Sequence, residues 1–254
     1  MTACNIVYLD ETDSTNRYLQ DLSQQEKLEE GTSVFTLHQT FGRGLCGNSW
    51  ESEKGKNVLF SSIFYPDMPV SNQFYLSEII SLSILQALRK NTEPFDKNAA
   101  PEFSIKWPND IYWREKKIAG ILIENTVVDN RIVQSIIGAG VNINQEDFKS
   151  SAPNPVSLKQ IIGTESDIRN VFIQIITNLY RNYIRILRDE LNLIHSIYMD
   201  NLFRKSGLHP FLSKEKEIFY ASVKGIYPSG ALVLESEDKK ERAFMFKEVE
   251  FVLE

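Results

Sequence analysis

The loop FGRGLCGNSW, Phe41 to Trp50, gathers a guanidinium, an indole and the glycines Gly42, Gly44 and Gly47. The glycine spacing fits a dinucleotide-binding loop, and Gly42 with Gly47 fits most of a P-loop. A dinucleotide site needs a strand, the glycines and then a helix, so that the pyrophosphate meets a helix N-terminus. Here the pattern predicts strands on both sides, and no acidic residue closes a βαβ unit at the usual distance. A P-loop needs lysine and then Ser or Thr after its second glycine, where this chain has Asn48. A plain surface connection is the bland alternative, since glycines often mark only tight turns. The loop runs from about Thr40 to Lys56, however, and connections that long are usually functional or disordered. Arg43 between bare amides suits an oxyanion, and Trp50 suits stacking on a planar base. Together they point to a loop that closes over a nucleotide, outside the two common nucleotide folds.

A second cluster lies in KWPNDIYWREKKIAGILIE, Lys106 to Glu124. Lys106 sits at a strand end, and Pro108 breaks the strand so that Asn109 and Asp110 can point at a common site. The hairpin returns through Lys116 and Lys117. Lys116 reads as a solvated hairpin tip. Lys117, next to apolar Ile118, reads as an inward-facing charge. Gly120 within a strand implies close approach of a ligand or another backbone. In GAGVNIN, Gly138 to Asn144, small residues leave space at a strand end, and Asn142 can hydrogen-bond an adenine edge or a ribose. Alone, that segment reads as a strand terminus capped by asparagine.

The elements that must hold these residues follow from hydrophobic periodicity. Strands are predicted at Ile6–Leu9, Ser33–Gln39 and Asn57–Tyr65. A helix after DETDS is capped by Asp13 or Ser14 and turns Tyr18, Leu19 and Leu22 inward. Phe74 to Lys90 reads as a helix with Leu76, Ile79, Ile80, Ile84 and Leu88 on its apolar face. A run of strands from Phe103 to Asn144 includes a turn at Asp129-Asn130. Asp167 to Glu190 is the clearest later helix, with the stripe Ile168, Phe172, Ile175, Leu179, Tyr183 and Ile186 or Leu187. From Glu217 the chain reads as three or four short strands around a Pro228-Ser229-Gly230 turn, too few residues for a secure fold of their own.

The 254 residues are 42% hydrophobic and 24% charged, enough to bury a core. No apolar run approaches the about 20 residues of a membrane span, and the start of the chain is unlike a signal peptide, so a cytoplasmic protein is expected. Two cysteines, Cys4 and Cys46, give neither a disulfide framework nor a zinc pattern, and the three histidines are scattered. The net charge of −6 argues against DNA as the main partner.

Taken in order, ETDSTN (Glu11–Asn16), HQTFGRGLCGNSW (His38–Trp50), the Lys106–Glu124 segment and GAGVNIN resemble biotin–protein ligase. The resemblance covers nearly the whole chain. It implies an α+β fold with a mixed, largely antiparallel central sheet and packed helices, like class II aminoacyl-tRNA synthetases, in residues 1–207. It also implies a small C-terminal SH3-like β-barrel in residues 213–254. The DNA-binding domain that some members carry in front is not expected, which makes this the monofunctional type. The implied reaction activates biotin with ATP as biotinyl-5'-AMP, with Mg²⁺, and transfers it to a lysine of a biotin carboxyl carrier protein. Ser14, Thr15, Asn16 and Gln39 would line the biotin pocket, with Gly42, Arg43, Gly44 and Leu45 closing over biotin and phosphate. Lys117 would contact the carboxylate, and Gly120 would give clearance. Trp50 and Asn142 would hold adenine, with Lys106, Asn109 and Asp110 on the ATP side. Arg43, Lys117 and Asp110 would be catalytic, while metal ligands are unknown. Many relatives have Arg at the position of Leu45, so a weaker hold on the adenylate is expected. Cys46, where another basic residue is common, reads as a neutral filler. A homodimer is left open. Lipoate ligases and octanoyl transferases share the fold but usually carry a different glycine segment. A binding protein that has lost the chemistry is the non-enzyme alternative.

Overall fold

The computed structural model describes residues 5–149 and 154–253; Cys4 falls outside them, and Cys46 is described in its backbone alone. In chain order the elements are β1 (Ile6–Leu9), α1 (Thr15–Gln25), β2 (Ser33–Thr36), β3 (Val58–Phe64), β4 (Met68–Pro69), α2 (Phe74–Thr92), β5 (Phe103–Lys106) and β6 (Asp110–Trp113). There follow β7 (Lys116–Val128), β8 (Arg131–Val141), α3 (Leu158–Ile162), α4 (Ile168–Leu187) and α5 (Leu191–Asp200). The chain ends in β9 (His209–Ser213), β10 (Ile218–Ile226), β11 (Leu232–Ser236), β12 (Glu241–Phe244) and β13 (Val249–Phe251).

The first eight strands form one sheet in the order β1-β2-β3-β8-β7-β6-β5, with β4 on β8. Only β1 and β2 are parallel, joined through α1, so the sheet is mixed as expected. The long β7–β8 hairpin turns on Asp129 and Asn130, both at positive φ (47° and 61°). Two central residues at positive φ match the right-handed strand twist.

α2 lies on the sheet with α4 and α5 packed on it. It is buried all round, so residues beyond the predicted stripe, such as Leu82, Leu85 and Ala87, also join the core. α4 follows its stripe through Phe172, Ile175, Leu179 and Tyr183, and the choice at its end falls to Ile186, because Leu187 is 56% exposed. Ser14 is the N-cap residue of α1, but its side chain makes no capping bond; Asp13 Oδ1 instead accepts from the Ser14 amide at 2.6 Å.

The last five strands form an antiparallel sheet in the order β12-β11-β10-β9-β13, whose two ends do not pair with each other. β9, which the sequence pattern does not announce, lies between β10 and β13 and carries the sheet back to His209. Phe211, Leu232, Leu234 and Val249 of this sheet belong to the same hydrophobic cluster as the main core. Trp107 Nε1 donates to the Gly230 carbonyl at 2.9 Å, and the Phe74 amide donates to the Pro228 carbonyl at 3.1 Å.

Within the helical layer, α2 buries Glu78 at 1% exposure, 2.7 Å from Nδ1 of His195 on α5. Burial pushes the Glu78 carboxyl above its usual 4.5, and the bond to Glu78 holds His195 above its usual 6.5. Both shifts are upward, so the folded chain keeps protons that the unfolded chain releases. The stability from His195 is present in full below pH 6.5 and is lost as pH rises through its folded value. Thermal unfolding followed across this range should therefore show a steeper loss of Tm with rising pH in the wild type than in the double variant Glu78→Gln, His195→Gln, in which neither group titrates. Parallel curves would remove the pair from the pH dependence.

Candidate active site

α1 begins beside the sheet, so its first turn brings Ser14, Thr15 and Asn16 to one place, all buried. Gln39 Oε1 accepts the amide and the hydroxyl of Thr15 at 2.8 and 3.0 Å. Ser61 Oγ on β3 lies 2.7 Å from Thr15 Oγ1 and 2.6 Å from Asn16 Oδ1. Asn16 Nδ2 donates to Glu124 Oε2 at 2.7 Å. Asn16 fits only because residue 138 lacks a side chain: a Cβ on Gly138 would stand 2.0 Å from Asn16 Oδ1.

The glycine loop folds on itself. Gly42 and Trp50 bond through their backbones at 2.9 Å, Gly44 and Asn48 at 2.6 Å, and Leu45–Gly47 close the tip as a single 3-10 turn with Gly47 at φ 84°. This short ladder sets Arg43 across the mouth, where its guanidinium makes a two-point ion pair with Glu124 at 2.8 and 3.3 Å. The loop delivers Trp50 onto the sheet. A Cβ on Gly140 would stand 2.3 Å from Trp50 Nε1, and one on Gly120 would stand 2.8 Å from Cζ3. The clearance expected of Gly120 thus serves an indole. Trp50 Nε1 is a buried donor with no partner among the described residues.

β6 and β7 bring the charges. An extra residue in β7 shifts the register between the Ile111–Ala119 and Tyr112–Lys117 pairs. The bulge breaks the alternation, so Lys117 shares the cavity face with Gly120 while Ile118 goes to the core. Lys117 Nζ lies 2.7 Å from Asp110 Oδ1 and 5.8 Å from the centre of the Trp50 ring. Lys106 Nζ rests over the Tyr112 and Phe251 rings at 5.0 and 5.4 Å. Burial lowers its pKa, and Asp110 opposes that shift. Asn109 turns its amide onto the sheet, donating to the Ile121 carbonyl at 2.7 Å.

These groups surround a cavity of about 390 Å³. Ser14, Thr15, Asn16 and Gln39 stand at one end. Arg43, Gly44, Leu45 and Trp50 form the loop side, and Lys106, Asn109, Asp110, Lys117 and Gly120 line the strands. Two expected residues are not on its wall. Gly42 closes the loop, with space for no Cβ against the Trp50 carbonyl at 2.4 Å. Asn142 is buried behind it, donating to the Val156 carbonyl at 3.2 Å, with no partner for Oδ1 among the described residues. The sequence reading gave no role to Glu124, although it recurs at even spacing from Gly120 through Leu122 on one strand face. It also missed Ser61, and it missed Lys247, Glu250 and Phe251, which the second sheet adds to the wall. Neither Lys106 nor Lys247 has an ion-pair partner among the described residues.

A polar end, a cationic end and a loop closing over both define an enzyme-type cavity for small anionic ligands. Residues 8–142 match the biotin/lipoate A/B protein ligase family. The chain is 31% identical over 252 residues to the bifunctional ligase/repressor BirA of Escherichia coli, covering 92% of this chain and 70% of that one. It is 29% identical over 240 residues to the protein of the same name from Bacillus subtilis, with the same coverage. Its fold matches the biotin protein ligase of Aquifex aeolicus, solved with biotin and ATP, with a TM-score of 0.78 and 24% identity over 98% of this chain and 99% of that one. The protein belongs to the biotin/lipoate A/B protein ligase family.

Alanine at 140 would set a methyl group inside the Trp50 ring. Gly140→Ala should displace the indole, move tryptophan emission to longer wavelength and cost about 1–3 kcal/mol of stability, as overpacking does. Unchanged emission and Tm would show that the ring does not sit on this floor.

Proposed function

We propose that the protein is an ATP-dependent biotin–protein ligase that biotinylates a lysine of a biotin carboxyl carrier protein. The observation that carries the reading is one cavity joining the Ser14–Asn16 and Gln39 cluster to Arg43, Lys117 and Trp50, in a chain of this family. Biotin's ureido ring meets the polar end, where Gln39 Nε2 has no protein partner among the described residues. An analogue lacking the ureido group would leave buried polar groups unpaired, and selectivity follows from that cost.

In the first step a carboxylate oxygen of biotin attacks the α-phosphorus of ATP. The bond from that phosphorus to the β-phosphate oxygen breaks, and pyrophosphate leaves. In the second, a carrier lysine amine attacks the acyl carbon. The carbon–oxygen bond to AMP breaks, AMP leaves and the amine gives up a proton. Arg43 and Lys117 stabilise the negative charge that develops on both transition states. Lys117 exchanges its contact with Asp110 for the carboxylate and then for the adenylate linkage. Trp50 stacks on adenine, while Asn142, behind the wall, holds the strand end through its bond to the Val156 carbonyl. Lys106 meets the phosphates.

Mg²⁺ enters as part of the ATP substrate. The described residues hold no cluster of His, Cys, Asp or Glu that would cage a metal. Mg²⁺ on a nucleotide needs only one or two carboxylates beside phosphate and water, and Asp110 and Glu250 stand on the cavity wall. It supplies neutralisation of phosphate charge.

We assign residues 1–207 to the catalytic domain and 213–254 to an SH3-like unit, the latter on its short antiparallel strands. Use of ATP and a carrier protein puts the enzyme in the cytoplasm. Pairing of two copies through the sheet edge at β1 is an assembly that sedimentation tests.

Purified protein should catalyse ATP–pyrophosphate exchange with biotin but not with lipoate or octanoate. Exchange with lipoate alone would move the chain to the lipoate branch of the family, and none with any acid would end the ligase reading. Lys117→Met should slow exchange by about 100-fold, the scale of other preorganised charges, and a loss under threefold would take Lys117 out of the chemistry. Leu45→Arg adds a cation at the loop wall, so biotinyl-5'-AMP should leave the enzyme more slowly than from the wild type. Equal release rates would show that Leu45 does not weaken retention.

A further inference from the structure

Gln145 stands just beyond β8, outside the cavity wall, and is 1% exposed. Its Oε1 accepts the Glu53 amide at 2.9 Å and Asn57 Nδ2 at 2.6 Å. Its Nε2 donates to the Asp147 carbonyl at 2.8 Å and reaches Glu51 Oε1 at 3.4 Å. Asn57, fully buried, accepts the Ile143 amide on Oδ1 at 3.0 Å and also reaches Ser52 Oγ at 3.0 Å through Nδ2. Two buried amides therefore tie the chain that follows Trp50 to the end of β8.

That chain is held by individual bonds rather than by a ladder of its own. Residues 51–57 form no helix or strand. Their other links to neighbouring segments include the Gly55 amide to the Leu37 carbonyl at 2.8 Å, the Asn144 amide to the Lys56 carbonyl at 2.8 Å, and Glu51 to the Lys149 amide at 2.9 Å. Glu53, the backbone point that Gln145 grips, is three residues from Trp50. The polar end of the cavity is held separately, through Gln39, Ser61 and Glu124, and none of those bonds passes through Gln145.

We infer that Gln145 is a positioning residue for ATP: by anchoring residues 51–57 it sets Trp50 on the Gly120–Gly140 floor. The inference rests on the reading of Trp50 as the adenine platform. It separates the two substrates, because loosening this anchor moves the indole and leaves the Thr15–Asn16–Gln39 cluster in place. Removing the amide also strands the Glu53 N–H, where an unmade buried hydrogen bond costs most, and leaves Asn57 Nδ2 with Ser52 Oγ alone as its acceptor.

The test is Gln145→Met, which keeps the length of the side chain and removes its hydrogen bonds, beside Gln145→Glu, which keeps the Oε1 acceptor. ATP and biotin binding are measured separately by equilibrium dialysis, with KM values from biotin-dependent exchange. Backbone hydrogen exchange is followed in the ligand-free protein. In the Met variant the Kd and KM for ATP should rise about tenfold, the scale of one or two lost hydrogen bonds, while those for biotin stay within about twofold. The Glu53 amide should exchange faster while β3 and β8 keep their protection, and Gln145→Glu should recover part of the hold at Glu53. If the Met variant does not fold, Ser52→Ala, which removes the second acceptor of Asn57 Nδ2, should show the same split at smaller size. Equal weakening of ATP and biotin, or unaltered exchange at Glu53, would overturn the inference. Dialysis and hydrogen exchange need no turnover, so they decide it even if the wild type shows no biotin-dependent exchange and the ligase reading fails.

Discussion

Gly120 and Gly140 face each other across β7 and β8, and the bare backbone they leave is the constraint on which the site depends. A sheet face normally carries a side chain at every second residue. Here Gly138, Gly140 and Gly120 leave a depression, into which Asn16 reaches from α1 and Trp50 from the loop. Glycine weakens a strand. The opposite face offsets that cost, because Ile121, Ile137, Ala139 and Val141, each next to one of these glycines, are buried in the core. The helical layer thus does more than complete a hydrophobic core. It holds flat a pair of strands whose other face is hollow.

On this floor the charges are arranged in pairs. Arg43 meets Glu124 and Lys117 meets Asp110, so the loop cation and the strand cation each have a carboxylate to leave when an anionic ligand arrives. Both pairs are partly open to solvent, where such contacts are worth little and exchange is easy. Glu124 also holds Asn16, so one carboxylate links loop closure to the polar end of the cavity. Lys106 differs. It is desolvated against Tyr112 and Phe251, and it marks where the second sheet completes the wall.

Much of this was legible in the sequence because its signals are local. Hydrophobic period placed β1 to β3, β5 to β8 and the helices α1, α2 and α4 within a few residues, and the turn at Asp129-Asn130 follows from residue type; the two-residue β4 was not placed. The glycine loop, Lys106–Glu124 and Gly138–Asn144 stood out as dense polar or small-residue runs between apolar ones, and three-dimensional pairing brings them together. What escaped is non-local. Ser61 sits in an apolar strand, and only its register against β8 and α1 gives it a role. β9 is a five-residue strand containing a proline, defined by its pairing with β10 and β13. The contribution of Lys247 and Glu250 to the cavity depends on how two sheets meet, which no spacing encodes.

Lys117 shows how narrow the margin is between a readable and an unreadable residue. Strict alternation from Gly120 would put Ile118 in the cavity and Lys117 on the far side, in an apolar core where an ammonium is expensive. That cost is the signal: a lysine beside a buried isoleucine, on a strand whose glycine faces a cavity, is consistent only if the strand changes parity between them. The bulge at Ile118 supplies the change, and the same register shift brings Lys117 Nζ to Asp110, whose own backbone pairs with Gly120. Removing the extra residue would return Lys117 to the core face and part it from Asp110, Trp50 and the cavity together. One inserted residue in β7 therefore aligns the floor, the cation and the carboxylate, which explains why so short a segment carries so much of the site.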